Sequence, residues 1–269
     1  MFGRVSLGAV AFAAVFIANS VSADTLRMGG VGASAAMLPP LFAAFNSAGE
    51  HKLEVIPALG SSGGLRAAAD GVLDLVVSGR ALKADEKAQG LTPILTIRSP
   101  FGLVTSRSQP GALKSMEIAS IYQSAKAAWP DGSPVRIILR PTSDSDTPLL
   151  GSLFPRMEAA LEQARKRGEI SVAATDQDNA DMAETVPGSL AGSTFTQVQV
   201  ERRKLNFIAI DGVEPSLENL ERGTYPFAKT LYFVLPAKKN LVAERFVAFL
   251  TTPEGRAALR LTGNLPTAD

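Results

Sequence analysis

Residues 53–79 read LEVIPALGSSGGLRAAADGVLDLVVSG and form the unit that decides the fold. An apolar run rich in Val and Ile leads through the Gly- and Ser-rich loop 60–64 into a short helical pattern at 65–69, and a second apolar run follows at 72–77. Strand, loop, helix and strand in this order are typical of parallel sheets flanked by helices. The stretch therefore predicts an α/β protein.

The same alternation continues on both sides of this unit. A strand at 25–28 precedes a Gly-rich loop and a helix, and a strand at 135–139 leads through the loop 140–147 into one helix from 148 to about 166. Thr147 as cap and Pro148 at the first helical position predict where that helix starts. Such repetition over this length predicts two lobes of ordinary domain size.

The first 23 residues have the features of a secretory signal peptide. Arg4 is followed by an apolar run at 5–18 and by Val21-Ser22-Ala23, which fits a cleavage site for small residues. The apolar run is shorter than the roughly 18 to 20 residues that a spanning helix needs, although an uncleaved anchor is the alternative interpretation. We therefore predict a mature protein from residue 24 that works outside the cytoplasm, in the periplasm.

The composition excludes several classes of function. After removal of the signal, 26 basic residues balance 26 acidic ones, which leaves no broad footprint for nucleic acid. The chain has no cysteine, so neither a disulfide framework nor thiol catalysis is expected. Three Tyr and one Trp are few for a sugar site. We expect no cofactor and no metal.

The candidate site lies in the loops that follow the strands, because ligands of open α/β sheets bind beyond the carboxyl ends of the strands. Residues 34–37, 61–64 and 145–147 sit where helices are expected to begin, and helix N-termini attract anions. Arg140 at the end of its strand supplies a guanidinium that can hold two oxygens. Each element also has a structural interpretation, as a common turn, a surface arginine or a helix cap.

These loops resemble the phosphate-binding periplasmic component of the phosphate-specific ABC transporter, over most of the mature chain. The resemblance is carried by Gly32-Ala33-Ser34 with Leu38-Pro39-Pro40-Leu41-Phe42, Gly60-Ser61-Ser62-Gly63-Gly64-Leu65, Asp74-Leu75-Val76-Val77-Ser78 with Ala81-Leu82, Asp85-Glu86-Lys87, Gly90-Leu91, Arg140 with Ser145 and Thr147, and Gly188-Ser189-Leu190-Ala191-Gly192. It implies a two-lobed, periplasmic-binding-protein-like α/β fold in which each lobe is a mixed sheet flanked by helices. The expected lobes are residues 24–104 plus 228–269, and residues 105–227.

The resemblance also implies the contacts to the ligand, in which Ser61, Arg140, Ser145 and Thr147 are retained. The family's ligand-binding Asp falls on Gly79, a Thr–Phe pair falls on Ala36 and Met37, and a Gly falls on Asp146. The full set of candidate ligand-binding residues is Ser34, Ala36, Met37, Ser61, Ser62, Gly79, Arg80, Arg140, Ser145, Asp146 and Thr147. Phosphate, sulfate, a phosphonate, an organophosphate and a carboxylate with a cationic group all stay open as ligands.

The expected function is a monomeric solute-binding protein that delivers a small anion to an inner-membrane ABC permease. The alternative is the same fold acting as a sensor or protein-interaction module without transport. A hydrolase is a third hypothesis, since residues 60–64 fit Gly-x-Ser-x-Gly, but the single histidine, His51, precedes the serine instead of following it. Asp144 and Asp146 are a weak metal-ligand pair, and Asp176, Asp178 and Asp181 are interpreted as a solvated helix start.

Overall fold

The computed structural model describes residues 25–267, which form two α/β lobes side by side. The elements, in chain order, are β1 (Thr25–Gly30), α1 (Gly32–Phe45), β2 (Lys52–Ile56), α2 (Gly60–Ala69), β3 (Leu75–Ser78), α3 (Ala84–Ala88), β4 (Thr92–Thr105), β5 (Ala112–Leu113), α4 (Ser115–Gln123), β6 (Arg136–Leu139), α5 (Asp146–Leu153), α6 (Met157–Arg165), β7 (Ser171–Val172), α7 (Asp176–Thr185), β8 (Ser189–Thr194), α8 (Phe195–Val200), β9 (Asn206–Phe207), β10 (Ala209–Ile210), α9 (Leu217–Glu221), β11 (Ala228–Leu235), α10 (Leu241–Leu250), α11 (Pro253–Leu261) and β12 (Leu265–Pro266). The predicted fold class is thereby confirmed.

The sheet of the first lobe has the order β2-β1-β3-β11-β4. β1 runs parallel to β2 and β3, whereas β11 is antiparallel to both of its neighbours. Its apolar residues pack against α1, α10 and α11, with Leu38, Leu41, Phe246 and Leu250 fully or almost fully buried. The parallel strands therefore point their carboxyl ends, and the loops that follow, towards one edge.

The sheet of the second lobe shares β4 with the first. Residues 92–100 of β4 pair with β11, and residues 101–104 pair with β8. β8 lies next to β6 and β6 next to β7, both in parallel. A separate core that includes Tyr122, Trp129 and Met157 fills this lobe. One uninterrupted strand therefore connects the two sheets.

Several predicted boundaries need correction. The Gly- and Ser-rich run expected as a loop forms the first turn of α2, which begins at Gly60. The helix expected from Pro148 begins at Asp146, with Ser145 as its N-cap residue, and it ends at Leu153; α6 then starts after Arg156, whose φ is 61°. The segment between α5 and α6 therefore divides what the sequence predicted as one helix.

The predicted signal peptide, residues 1–23, lies outside the described residues. The residue boundaries of the two lobes stay predictions. Within residues 25–267, no helix combines the length and the apolar character that crossing a bilayer requires.

Gly30 ends β1 at a point where a side chain has no room. Its φ is +136°, and an added Cβ would lie 2.0 Å from the carbonyl oxygen of Val77 in β3. We expect Gly30→Ala to lower the free energy of unfolding by about 2 kcal/mol or more, because backbone strain adds to a clash with backbone atoms. Urea unfolding measures the change, with Gly49→Ala as the matched control. Gly49 has a φ of +72° but no atom within 4 Å of its Cβ position, so an equal loss in both variants would contradict the steric argument.

Candidate functional site

A cleft of about 230 Å³ opens between the lobes, at the carboxyl ends of the strands. The loops that follow β1 and β2 form one wall, and those that follow β6 and β7 form the other. Its lining residues are Val31, Gly32, Ala58, Leu59, Gly60, Ser61, Ser62, Arg140, Pro141, Ser143, Asp144, Ser145, Ala174, Thr175, Asp176 and Gln177. The helices α1, α2, α5 and α7 all begin at these walls, so their positive dipole ends converge on the cleft.

Arg140 is the cation of the cleft lining. It follows β6 and is 8% exposed. Its Nη2 donates to Oδ2 of Asp144 at 2.7 Å and to Oδ1 of Asp176 at 2.8 Å, and its Nη1 donates to the carbonyl oxygen of Ala173 at 2.8 Å. Its Nε is buried and has no hydrogen-bond partner among the described residues. Three of its five N–H groups are therefore engaged, and the guanidinium is held in place by both acidic partners.

Asp176 connects the two walls. It is the first residue of α7, and its Oδ2 accepts the backbone N–H of Ala33, in the first turn of α1, at 3.2 Å. The next residue, Gln177, donates from Nε2 to the carbonyl oxygen of Gly32 at 3.1 Å. The start of α7 in the second lobe thus contacts the start of α1 in the first lobe.

A second ion pair lies beside the cleft, between Lys229 of β11 and Asp146 of α5. Lys229 is 2% exposed and Asp146 is 7% exposed. Burial raises the pKa of Asp146 to about 6 against the opposing effect of Lys229, and the negative charges of Asp176 and Asp144 add to the increase. Burial alone would lower the pKa of Lys229, but Asp146 raises it above its ordinary value.

Three carboxylates therefore share two cations. Carboxylate oxygens of Asp144, Asp146 and Asp176 all lie within 4.8 Å of one another, a spacing that could hold a metal ion. Each of these carboxylates is already paired with Arg140 or Lys229. The arrangement is that of an internal ion-pair network.

The structure brings four of the candidate ligand-binding residues together at the cleft, namely Ser61, Ser62, Arg140 and Ser145. The hydroxyl of Ser61 accepts the backbone N–H of Gly79 at 2.9 Å. An added Cβ at Gly79 would lie 2.7 Å from the hydroxyl oxygen of Ser145. The position is therefore closed to a larger side chain while the lobes are in contact.

Other candidates do not line the cleft. Arg80 pairs with Glu86 at 2.6 Å, a contact that lowers the pKa of Glu86 to about 2. The Thr147 hydroxyl donates to the carbonyl oxygen of Pro141 at 2.8 Å. Ser34 is buried and donates to the carbonyl oxygen of Val31.

Two of the remaining candidates lie on α1, and the third lies on α5. Met37 is fully buried, and its sulfur accepts from Nδ2 of Asn264. Ala36 is half-buried on the same helix. Asp146 lies behind the cleft, in its pair with Lys229. None of these residues is among those that line the cleft.

Sequence reasoning missed Asp144, Asp176 and Lys229 as parts of this site. Asp176 was interpreted as part of a solvated helix start, yet it is 7% exposed. Lys229 offered a signal, because it is a single charge at the start of an otherwise apolar strand. Asp144 also offered one, since it stands four residues after Arg140, and the structure pairs the two.

The Gly-x-Ser-x-Gly motif considered for a hydrolase has no histidine beside it in the cleft. The chain's single histidine, His51, stacks on Phe45 with ring centroids 6.4 Å apart and is not among the residues that line the cleft. Ser62, the serine of that motif, therefore has no histidine to activate it as a nucleophile.

Comparison with solved structures finds this fold in several proteins. A candidate phosphate ABC transporter substrate-binding protein from Clostridium perfringens, with phosphate bound, matches with a TM-score of 0.75 at 17% identity, over 91% of this chain and 100% of that chain. A phosphate-binding protein from Stenotrophomonas maltophilia matches with a TM-score of 0.65 at 12% identity, over 91% of both chains. A reduced form of OxyR from N. meningitidis gives 0.60 at 10% identity, over 91% of this chain and 99% of that chain. At identities this low, the structural similarity shows a shared fold alone.

Comparison by sequence places the chain in a family. No curated protein matches it at significant similarity. Residues 18–254 match the family model of the PBP superfamily domain, which confirms the family resemblance drawn from the loops. Because this match spans most of the chain, the chain belongs to the family described as the PBP superfamily domain.

Proposed function

We propose that the protein is an extracytoplasmic solute-binding protein that captures a small oxyanion-bearing solute between its lobes and delivers it to an inner-membrane ABC permease. The observation that carries the proposal is the convergence of Arg140 and the starts of several helices on one cleft between two lobes. In this proposal the protein is a monomer in the periplasm.

The chemistry of the cleft suits a small solute with an anionic group. Its volume of about 230 Å³ corresponds to roughly eight water molecules, which is room for phosphate, sulfate or a small phosphonate. Ser61, Ser62 and Ser145 offer hydroxyl donors, and the first turn of α2 offers backbone N–H groups. The guanidinium of Arg140 lies in the same lining and adds positive charge.

Capture requires the lobes to move apart and close again. β4 runs through both sheets, so bending at this strand and its neighbour β11 would open the cleft while each lobe keeps its core. Closure would bring the loops after β6 and β7 over a solute held on the first lobe and exclude water from it.

A ligand screen tests the proposal. Thermal shifts of the mature protein would be measured with phosphate, sulfate, phosphonates, organophosphates and small carboxylates. A ligand at 100 times its dissociation constant stabilises the folded state by about 2.7 kcal/mol. We expect a large shift with one class of anion, reduced in Ser61→Ala and unchanged in His51→Ala, since His51 lies outside the cleft. Equal shifts in wild type and Ser61→Ala would argue against this cleft as the binding site.

A second function is favoured by one observation. Arg140 is already paired with two carboxylates, so the cleft is occupied by the protein's own charges. A protein in this state fits a sensor or interaction module that has lost transport. Absence of a shift with every anion in the screen would favour this function.

A further inference from the structure

The first lobe and the second lobe meet through a carboxylate at the place where an anion would bind. Asp176 uses one oxygen, Oδ1, for Arg140 at 2.8 Å and the other, Oδ2, for the backbone N–H of Ala33 at 3.2 Å. A guanidinium from one lobe and the N-terminus of α1, a helix of 14 residues, from the other are the groups that would hold a solute oxyanion between them. Both oxygens are thus satisfied by opposite walls of the cleft.

We propose that Asp176 is a tethered internal anion that holds the lobes closed without a solute and determines which anions can enter. The inference rests on the cleft of the proposed function but not on the identity of its solute. A bound oxyanion must displace the Asp176 carboxylate from Arg140 and from the start of α1. Inorganic oxyanions with few further contacts then compete poorly.

The fit around Asp176 shows that the contact is built into both lobes. A Cβ added at Gly32 would lie 2.4 Å from Oδ2 of Asp176 and 2.5 Å from its Cβ, so only glycine leaves room for the carboxylate. Gln177 adds a second hydrogen bond across the same junction, to the carbonyl oxygen of Gly32, and Nε2 of Gln177 also donates to Glu201 at 3.0 Å. The start of α7 is therefore fitted to the start of α1.

Comparison with Asp144 shows which contact of Asp176 is specific to that residue. Both carboxylates bind the same nitrogen of Arg140, at 2.7 and 2.8 Å. The other oxygen of Asp144, Oδ1, accepts the backbone N–H of Asp146 within the second lobe, whereas that of Asp176 reaches the first lobe. The two residues contribute equal charge, and their contacts across the cleft differ.

A tethered group competes with free solutes at a high effective concentration. A carboxylate on the same chain as its site acts as though present at roughly millimolar concentration. An anion that binds the empty site at micromolar levels therefore binds the occupied site much more weakly. Removal of the Asp176 charge should therefore tighten the binding of inorganic phosphate at least tenfold, more than the same removal at Asp144.

Lobe separation tests the inference without any solute. The chain has no cysteine, so spin labels can be placed at Asp70→Cys on the first lobe and Gln163→Cys on the second, both exposed positions. Distances between the labels would be measured by double electron–electron resonance in the otherwise unmodified protein, in Asp176→Asn and in Asp144→Asn. We expect a short distance between the labels in the otherwise unmodified protein and in Asp144→Asn. In Asp176→Asn we expect a shift to longer distances.

A second variant approaches the contact from the other lobe. Gly32→Ala leaves Asp176 unchanged but displaces its carboxylate, so it should lengthen the distance too, and it carries the test if Asp176→Asn does not fold. An unchanged distance in both folded variants, or an equal shift in Asp144→Asn, would overturn the inference. Because these distances are measured without solute, a negative anion screen would count against the proposed function and leave this result standing.

Discussion

Replacement of Lys229 by methionine should lower the free energy of unfolding by about 3–5 kcal/mol, because it leaves the Asp146 carboxylate buried without its cation. Lys229 is 2% exposed and Asp146 is 7% exposed, so water cannot take over the role of the ammonium group. Chemical denaturation at neutral pH measures the loss. Lys238→Met, at an exposed position after the same strand, is the matched control and should change stability by no more than about 0.5 kcal/mol.

Two further measurements separate the effect of the unpaired Asp146 charge from that of lost packing. Asp146→Asn added to Lys229→Met should restore part of the stability, because it removes the unpaired carboxylate. Burial raises the pKa of Asp146 above the value of an unfolded chain. A group shifted in this direction favours folding below its unfolded pKa, and this contribution is lost as the pH rises through its folded pKa. The deficit of Lys229→Met should therefore be smaller at pH 5 than at pH 8, and a pH-independent deficit would point to lost packing instead.

Arg140→Ala should lower the free energy of unfolding by about 3 kcal/mol or more and also weaken solute binding. The substitution strips the cation from Asp144 and Asp176, of which the second is almost fully buried, and removes a donor from the carbonyl oxygen of Ala173. Loss of the charged hydrogen bonds to a solute should weaken binding by about 2 kcal/mol or more, roughly thirtyfold. Denaturation and calorimetric titration measure the two effects separately, at a temperature where the variant is folded.

Arg66 provides the control for this substitution. It is exposed on α2, a helix whose first residues line the same cleft, so Arg66→Ala should change stability by about 0.5 kcal/mol or less. If folded Arg140→Ala bound the same anion as tightly as wild type, the anion site would have to be placed elsewhere.

The order of strands and helices was predictable because it depends on local apolar periodicity. The exact starts of helices at the cleft were not. Residues 60–64 have a composition typical of a loop, but Gly64 packs so closely on β1 that an added Cβ would lie 3.0 Å from the Cα of Gly30. These residues form a helical turn where the backbone of β1 packs against them. A contact with another element cannot be predicted from the local sequence.

The residues of the candidate site were likewise predictable only in part. Ser61, Arg140 and Ser145 were predictable from their positions after strands, and they line the cleft. Asp176 was not, because its partner Ala33 lies 143 residues away in the chain and in the other lobe. Lys229 similarly pairs with a residue 83 positions away. Contacts between lobes depend on how the finished lobes meet, and no periodicity in one segment reports them.

The unbroken passage of β4 through both sheets has a consequence for the integrity of the chain. Residues 92–100 complete one sheet and residues 101–104 complete the other, so each sheet depends on hydrogen bonds from the same strand. A single proteolytic nick within this strand would weaken two hydrophobic cores at once. Conversely, unfolding of either lobe would remove β4 from the sheet of the other lobe. The two lobes should therefore unfold together.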